Sequence, residues 1–189
     1  RSICPACELE LKKLIDFKDP DITIVSPDTG AVSRNKFYAQ ILHRPLAMLY
    51  KERDYSIVTT DANHNNIRSI NLLGDVAGKT VIMADDMISS GGTMLIAMRK
   101  LREFGAKKII CIVSLPFFNG NAVQEFDAAN REGVFDYVIG TNAVWHGDDL
   151  LSRKYPQLSI LLPAYISSYW IEATRVRSAS ELCHMHPCL

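Results

Sequence analysis

The sequence predicts an α/β domain, with a parallel sheet flanked by helices on both faces. Three observations carry this. Short runs rich in β-branched residues recur along the chain and are almost wholly apolar. Stretches with helical spacing of apolar residues separate several of them. A strand that is apolar on both sides must be covered on both sides, which is the habit of parallel sheets in α/β proteins. The composition agrees. Of 189 residues, 48% are hydrophobic and 22% are charged, which is globular and sufficient for one core.

The elements follow in order. Ile22-Thr23-Ile24-Val25 reads as a buried strand, Arg34 to Leu42 as a helix, and Leu46 to Tyr50 as the next strand. Lys51 to Ser69 is polar, weakly periodic and long, and is expected to be a mobile functional loop. Thr80 to Ala84 is a strand. Gly92 to Phe104 is a helix whose Met94, Leu95, Met98 and Leu101 share a face, with Arg99, Lys100 and Arg102 expected in water. Gly105 is placed to close it in the left-handed conformation. Lys108 to Leu115, Tyr137 to Ile139 and Ile160 to Leu162 are further strands, and a last helix is expected from Ser167 to Arg175. Residues 1–20 read as a lead-in, 21–180 as the domain and 181–189 as a tail.

Charge and cysteines narrow the function. Twenty-one Lys and Arg balance twenty-one Asp and Glu, which speaks against a general nucleic-acid binder. No apolar run spans a bilayer, no signal peptide is visible, and a cytoplasmic location is the default. Cys111 lies in an apolar strand and reads as a small buried hydrophobe. Cys4 and Cys7 at one end, and Cys183 and Cys188 at the other, have the ligand type of a structural zinc site. Neither half has the full spacing of a zinc module, and loose tails are the plainer reading. His43 and His146 read as ordinary surface or boundary residues.

The chemistry concentrates after one strand. Val81 to Ala84 runs into Asp85 and Asp86, then Ser89, Ser90, Gly91, Gly92 and Thr93 lead into a helix. Glycines allow a sharp turn and close approach of the backbone. A helix start offers unpaired N–H groups and a dipole that favours an anion. Two carboxylates would repel a bare phosphate. They suit a ligand that also carries a diol, whose hydroxyls they accept, or Mg²⁺. Gly-Gly-Thr alone is common, and paired acids can simply cap a turn. The whole string is more specific, and it resembles the binding motif for phosphoribosyl pyrophosphate (PRPP) in the type I phosphoribosyltransferase fold.

Four other passages resemble PRPP synthetases, the ribose-phosphate pyrophosphokinase family. Ser26-Pro27-Asp28-Thr29-Gly30-Ala31, followed by the basic Arg34, is similar to their pyrophosphate loop, with Ala31 where the family has a second glycine. An added Cβ there disfavours positive φ and is expected to loosen that loop. Lys51-Glu52-Arg53 resembles the start of their flexible catalytic loop. Leu72 to Lys79 is similar to their Gly-Asp-Val turn, and Ser114 to Ala122 to a His-Pro-x-Phe-Ser-Gly passage. Ser114 and Asn119 depart from the last pattern and are expected to lie outside the cradle. The resemblance spans about residues 21 to 180.

That resemblance implies transfer of a pyrophosphoryl group from MgATP to ribose 5-phosphate, giving PRPP and AMP. Asp85 and Asp86 would hold ribose hydroxyls or metal, and Ser89 to Thr93 the 5-phosphate. Asp28 would ligate Mg²⁺ in the pyrophosphate loop with Thr29, Gly30 and Ala31, and Lys51 and Arg53 would stabilise the transferring phosphates. Family members have two similar domains and assemble as homo-oligomers. One copy is visible here and the chain opens on Arg1, so the expectation is a C-terminal part without the ATP-binding domain. It would bind ribose 5-phosphate or PRPP but make PRPP poorly. A PRPP-consuming phosphoribosyltransferase, and a non-catalytic regulatory or assembly homologue, stay open.

Overall fold

The computed structural model describes residues 11–53, 67–141, 143–144 and 158–161. Among them are seven strands: β1 (Ile22–Ser26), β2 (Leu46–Arg53), β3 (Ile67–Leu73), β4 (Thr80–Ile88), β5 (Lys108–Pro116), β6 (Tyr137–Thr141) and β7 (Leu158–Leu161). Three helices accompany them, α1 (Val32–Ile41), α2 (Gly92–Glu103) and α3 (Ala122–Arg131). The strands form one sheet in the order β3-β2-β1-β4-β5-β6-β7. Every neighbouring pair is parallel except β2 and β3, which run antiparallel at one edge.

The two-residue period of the strands sorts their side chains between two cores. Ile22, Ile24, Ile82, Ile110, Ile112 and Ile139 face α1, together with Leu11. Val25, Val81, Met83, Ile109, Cys111 and Val138 face α2 and α3. Leu11 lies within the lead-in of the sequence reading and is fully buried, opening a helical turn over residues 11–14. Cys111 is fully buried, and burial pushes its thiol far above the ordinary range, as expected of an inert core residue.

All three helices end in the same way. Gly105 (φ +88°) donates to the Arg102 carbonyl while Ala106 donates to that of Leu101. Gly133 (φ +75°) and Val134 repeat the pattern on Asn130 and Ala129. His43 (φ +51°) and Arg44 repeat it on Gln40 and Ala39. This is the left-handed helix stop expected at Gly105. His43 fills the same position without being glycine, which the sequence did not signal.

Several expectations change. Helix α3 and strand β3 were not anticipated. β3 occupies the end of the stretch read as a loop, and Lys51 to Arg53 belong to β2. Antiparallel pairing, Lys51 to Ile70 and Tyr50 to Asn71, holds a strand whose apolar residues are interrupted by Arg68, Ser69 and Asn71. Arg102 does not simply face water. Its guanidinium donates to the carbonyls of Gly133, Val134, Ala106 and Lys107 and pairs with Asp136, whose carboxylate also accepts the Ile109 N–H. The helix expected over Ser167 to Arg175 lies outside the described residues.

Candidate functional site

β1 leads through α1 to β2 on one side, whereas β4 leads through α2 to β5 on the other. The boundary between β1 and β4 is therefore a topological switch point, where open α/β sheets bind ligands beyond the carboxyl ends of their strands. The β1–β4 ladder stops at Val25 opposite Met83, but β4 continues to Ile88, paired with β5 alone. Asp85 and Asp86 sit on this overhang, so the acids belong to the strand rather than to the loop after it.

α1 reaches across the switch point. One Arg34 nitrogen lies 2.9 Å from Asp85 Oδ1, and another lies 2.9 Å from Asp86 Oδ2. Asp85 Oδ1 also accepts the Asp86 N–H at 2.8 Å, and Asp86 Oδ1 accepts that of Met87 at 2.9 Å. The two acids titrate differently. Burial pushes the Asp85 carboxyl above the usual carboxylate value, and the Asp86 charge adds to this. The Asp86 N–H and Arg34 oppose it without cancelling it. Burial also works to raise Asp86, but its hydrogen bond with Asp85 and the Arg34 charge hold it below the usual value. Two adjacent acids with separated affinities for protons suit a site that both accepts hydroxyls and holds charge.

The turn after β4 forms the second wall. Gly91 has φ +80° at the start of α2, and a Cβ there would fall 2.2 Å from the Phe126 ring. Glycine is required on both counts. At Gly92 an added Cβ would meet open space. No side chain caps this helix start and no acid stands in its first turn, so its dipole end is open to an anion. Ser89, Ser90 and Thr93 are exposed around it.

The segment after β5 fastens this turn. Phe117 and Phe118 donate to the Ile88 carbonyl, and Asn119 donates to the Ser89 carbonyl at 2.9 Å and to its hydroxyl at 3.1 Å. Phe118, at φ +47°, packs edge-on to Phe126 beneath Gly91. Asn119 was expected outside the cradle. It contacts Ser89 directly, because β5 runs beside β4 to its end and delivers the next residues under the turn.

The loop after β1 forms the third wall. Ser26 Oγ donates to the Asp28 carbonyl at 2.7 Å, and Asp28 Oδ1 accepts the Ala31 N–H at 2.9 Å. Ala31 has φ −86° at the start of α1 and is buried. Its methyl therefore imposes no backbone strain, contrary to the expectation that alanine would loosen the loop. Thr29 and Gly30 lie in this loop, and a Cβ on Gly30 would stand 3.3 Å from Asp28 Oδ1. β2 runs past Met48, the partner of Ser26, and so carries Lys51 and Arg53 to the same edge of the sheet. Asp28, Asp85 and Asp86 offer the hard oxygens that Mg²⁺ prefers. The proposed zinc ligands Cys4, Cys7, Cys183 and Cys188 lie outside the described residues, as does His146. Among the described residues no cluster of metal-binding side chains forms, and no helix is long and apolar enough to cross a membrane.

Sequence reasoning gave Arg34 no role of its own and missed Asn35. The available signal was an arginine and an asparagine, a poor helix former, in the first turns of a helix that leaves a phosphate-type loop.

Comparison with known proteins follows the same outline. The family described as phosphoribosyl transferase domain matches residues 5–148. A ribose-phosphate pyrophosphokinase of Mycoplasma pneumoniae is 41% identical over 124 residues, 66% of this chain and 35% of that protein. One from Prochlorococcus marinus is 37% identical over 142 residues, 75% of this chain and 39% of that protein. The chain thus spans between a third and two fifths of the length of these relatives. The solved structure of phosphoribosylpyrophosphate synthetase from Mycobacterium smegmatis superposes with a TM-score of 0.67 at 32% identity, over 90% of this chain and 50% of that one.

Proposed function

Because the chain belongs to the phosphoribosyl transferase domain family, we propose that it is the ribose-phosphate-binding part of a ribose-phosphate diphosphokinase. The reaction is attack of the ribose 1-hydroxyl of ribose 5-phosphate on the β-phosphorus of ATP, with AMP leaving and PRPP formed. The observation that carries this reading is the junction of β4 and α2. An acid pair for hydroxyls and an uncapped, glycine-led helix start for a phosphate stand a few residues apart on one strand–turn–helix unit. A ribose 5-phosphate has those two groups at opposite ends of one small ring. The likeness to named ribose-phosphate pyrophosphokinases supports the choice of reaction over others that use a ribose phosphate.

In this reading Asp85 and Asp86 accept hydrogen bonds from the ribose hydroxyls, and Arg34 keeps the pair from repelling itself. The N–H groups of the 89–93 turn and the hydroxyls of Ser89, Ser90 and Thr93 hold the 5-phosphate. Asp28 is oriented by the Ala31 N–H and serves as an oxygen ligand to Mg²⁺, with Thr29, Gly30 and Ala31 beside the pyrophosphoryl group. Bound Mg²⁺ supplies positive charge against the transferring phosphates. Lys51 and Arg53 do the same from β2. The reading extends to a homo-oligomeric, cytoplasmic enzyme whose ATP is bound largely outside this chain.

Calorimetric titration with ribose 5-phosphate tests it. Saturable binding is expected, and both Asp85→Ala and Thr93→Ala are expected to weaken it by at least tenfold, about 1.4 kcal/mol each. A folded chain that binds neither ribose 5-phosphate nor PRPP, with or without Mg²⁺, overturns it.

A further inference from the structure

Asn35 is fully buried in the first turn of α1, and both its side-chain nitrogen and its side-chain oxygen are hydrogen-bonded. Its Nδ2 donates to the Ala31 carbonyl at 3.0 Å and to the Ala84 carbonyl at 2.9 Å. Its Oδ1 accepts the Ala84 N–H at 3.0 Å. A side-chain amide has the donor and acceptor of a peptide unit. Here it presents both to Ala84, as a neighbouring strand would. It does so where that strand is missing, because the β1–β4 ladder ends at Val25 opposite Met83. Ser26 still pairs with Met48 of β2 and then turns into the loop. Asn35 thus supplies the next rung of the ladder from a helix.

The two ends of this rung are informative. Ala84 is the residue immediately before Asp85. Ala31 closes the loop after β1, and its N–H is held by Asp28. One buried amide therefore ties the backbone of the acid pair to the backbone of the pyrophosphate-type loop. Arg34, the residue before it, makes a second tie to the acid side chains. An asparagine is a poor helix former, and an aliphatic residue would fill the space. A satisfied polar bridge in low dielectric is stiff, and it specifies one arrangement of the groups it joins.

We propose that Asn35 is a positioning residue that couples the two ligand loops, so that filling the loop after β1 orders the acid pair for ribose, and the reverse. This rests on the functional reading above and adds to it a linkage between its two subsites. Linkage is reciprocal, so either ligand improves the affinity of the other by the same factor. Two anions bound side by side oppose each other by simple repulsion, whereas Mg²⁺ shared between them, or ordering through Asn35, makes them cooperate, so the diagnostic is the loss of cooperativity when Asn35 is replaced.

The test is calorimetry on the 189-residue chain, with ribose 5-phosphate titrated alone and in saturating magnesium pyrophosphate. The wild type is expected to bind ribose 5-phosphate about fivefold or more tighter with pyrophosphate present, the lower end of ordinary coupling. In folded Asn35→Ala the ratio is expected to fall below about twofold, while the affinity for each ligand alone changes far less. Independent or antagonistic binding in the wild type overturns the proposal, and so does undiminished cooperativity in the variant. Should Asn35→Ala fail to fold, amide exchange in the wild type decides. Magnesium pyrophosphate alone must slow exchange of the Ala84 N–H, and no slowing overturns the proposal. If neither ligand binds, the functional reading fails and takes this inference with it. If both bind without coupling, only the inference fails.

Discussion

Asp85 and Asp86 pull the stability of the protein in opposite directions with pH. The Asp85 pKa is raised in the folded state, so its contribution is fully present below the unfolded value of 3.8 and is lost as pH rises through the folded value. The Asp86 pKa is lowered, so its contribution is present above 3.8 and is lost as pH falls through the folded value. Ionising Asp85 in the fold therefore carries a cost. Asp85→Asn is expected to melt no lower than the wild type at pH 7. Its advantage should shrink as pH is lowered towards 3.8, while ribose 5-phosphate binding is weakened throughout. Thermal melts across that range check it. The glycines give a second contrast. Gly91→Ala meets both positive φ and the Phe126 ring, and is expected to cost about 2 kcal/mol or more in denaturant unfolding. Gly92→Ala is expected to leave stability within about 1 kcal/mol and to harm ligand binding, because its methyl enters the open space. The sequence displayed the acids and glycines plainly. It did not display Asn35, since its role depends on where a strand in another part of the chain ends.

Elements were legible where hydrophobicity announces them. β1, β4 and β5 are apolar over consecutive residues, and α2 carries a clear apolar face. β3 was hidden because Arg68, Ser69 and Asn71 interrupt its apolar residues and its start merges with the polar stretch before it. α3 was hidden by its small buried residues, Ala122 and Ala129, around the single large Phe126. The helix ends offer a direct test. His43 adopts a left-handed conformation that glycine fills at the other two stops, so His43→Gly is expected to stabilise the fold by about 1 kcal/mol in denaturant unfolding. Arg102 joins the end of α2 to the chain between α3 and β6 and to the start of β5. Arg102→Met keeps its length but leaves Asp136 without its cation. A loss of about 2 kcal/mol is expected, measured in the same way.

The whole molecule places every candidate group of the sequence reading that falls within the described residues on one edge of one sheet. Lys51 and Arg53 reach that edge on a strand rather than on a loop. In enzyme that turns over ATP and ribose 5-phosphate, Lys51→Ala is expected to lower turnover far more than ribose phosphate binding, and equal losses in both would remove its role. The three helices add something that composition conceals. Each follows a parallel strand, so each begins at the edge that carries these groups and ends at the far one. A chain with no net charge is therefore electrically polar from edge to edge. Such polarity fades within about a helical turn, so an anionic sugar phosphate gains from it only on arrival. Capture should then be a matter of contact rather than of long-range steering, and its rate in stopped-flow mixing should vary little with ionic strength.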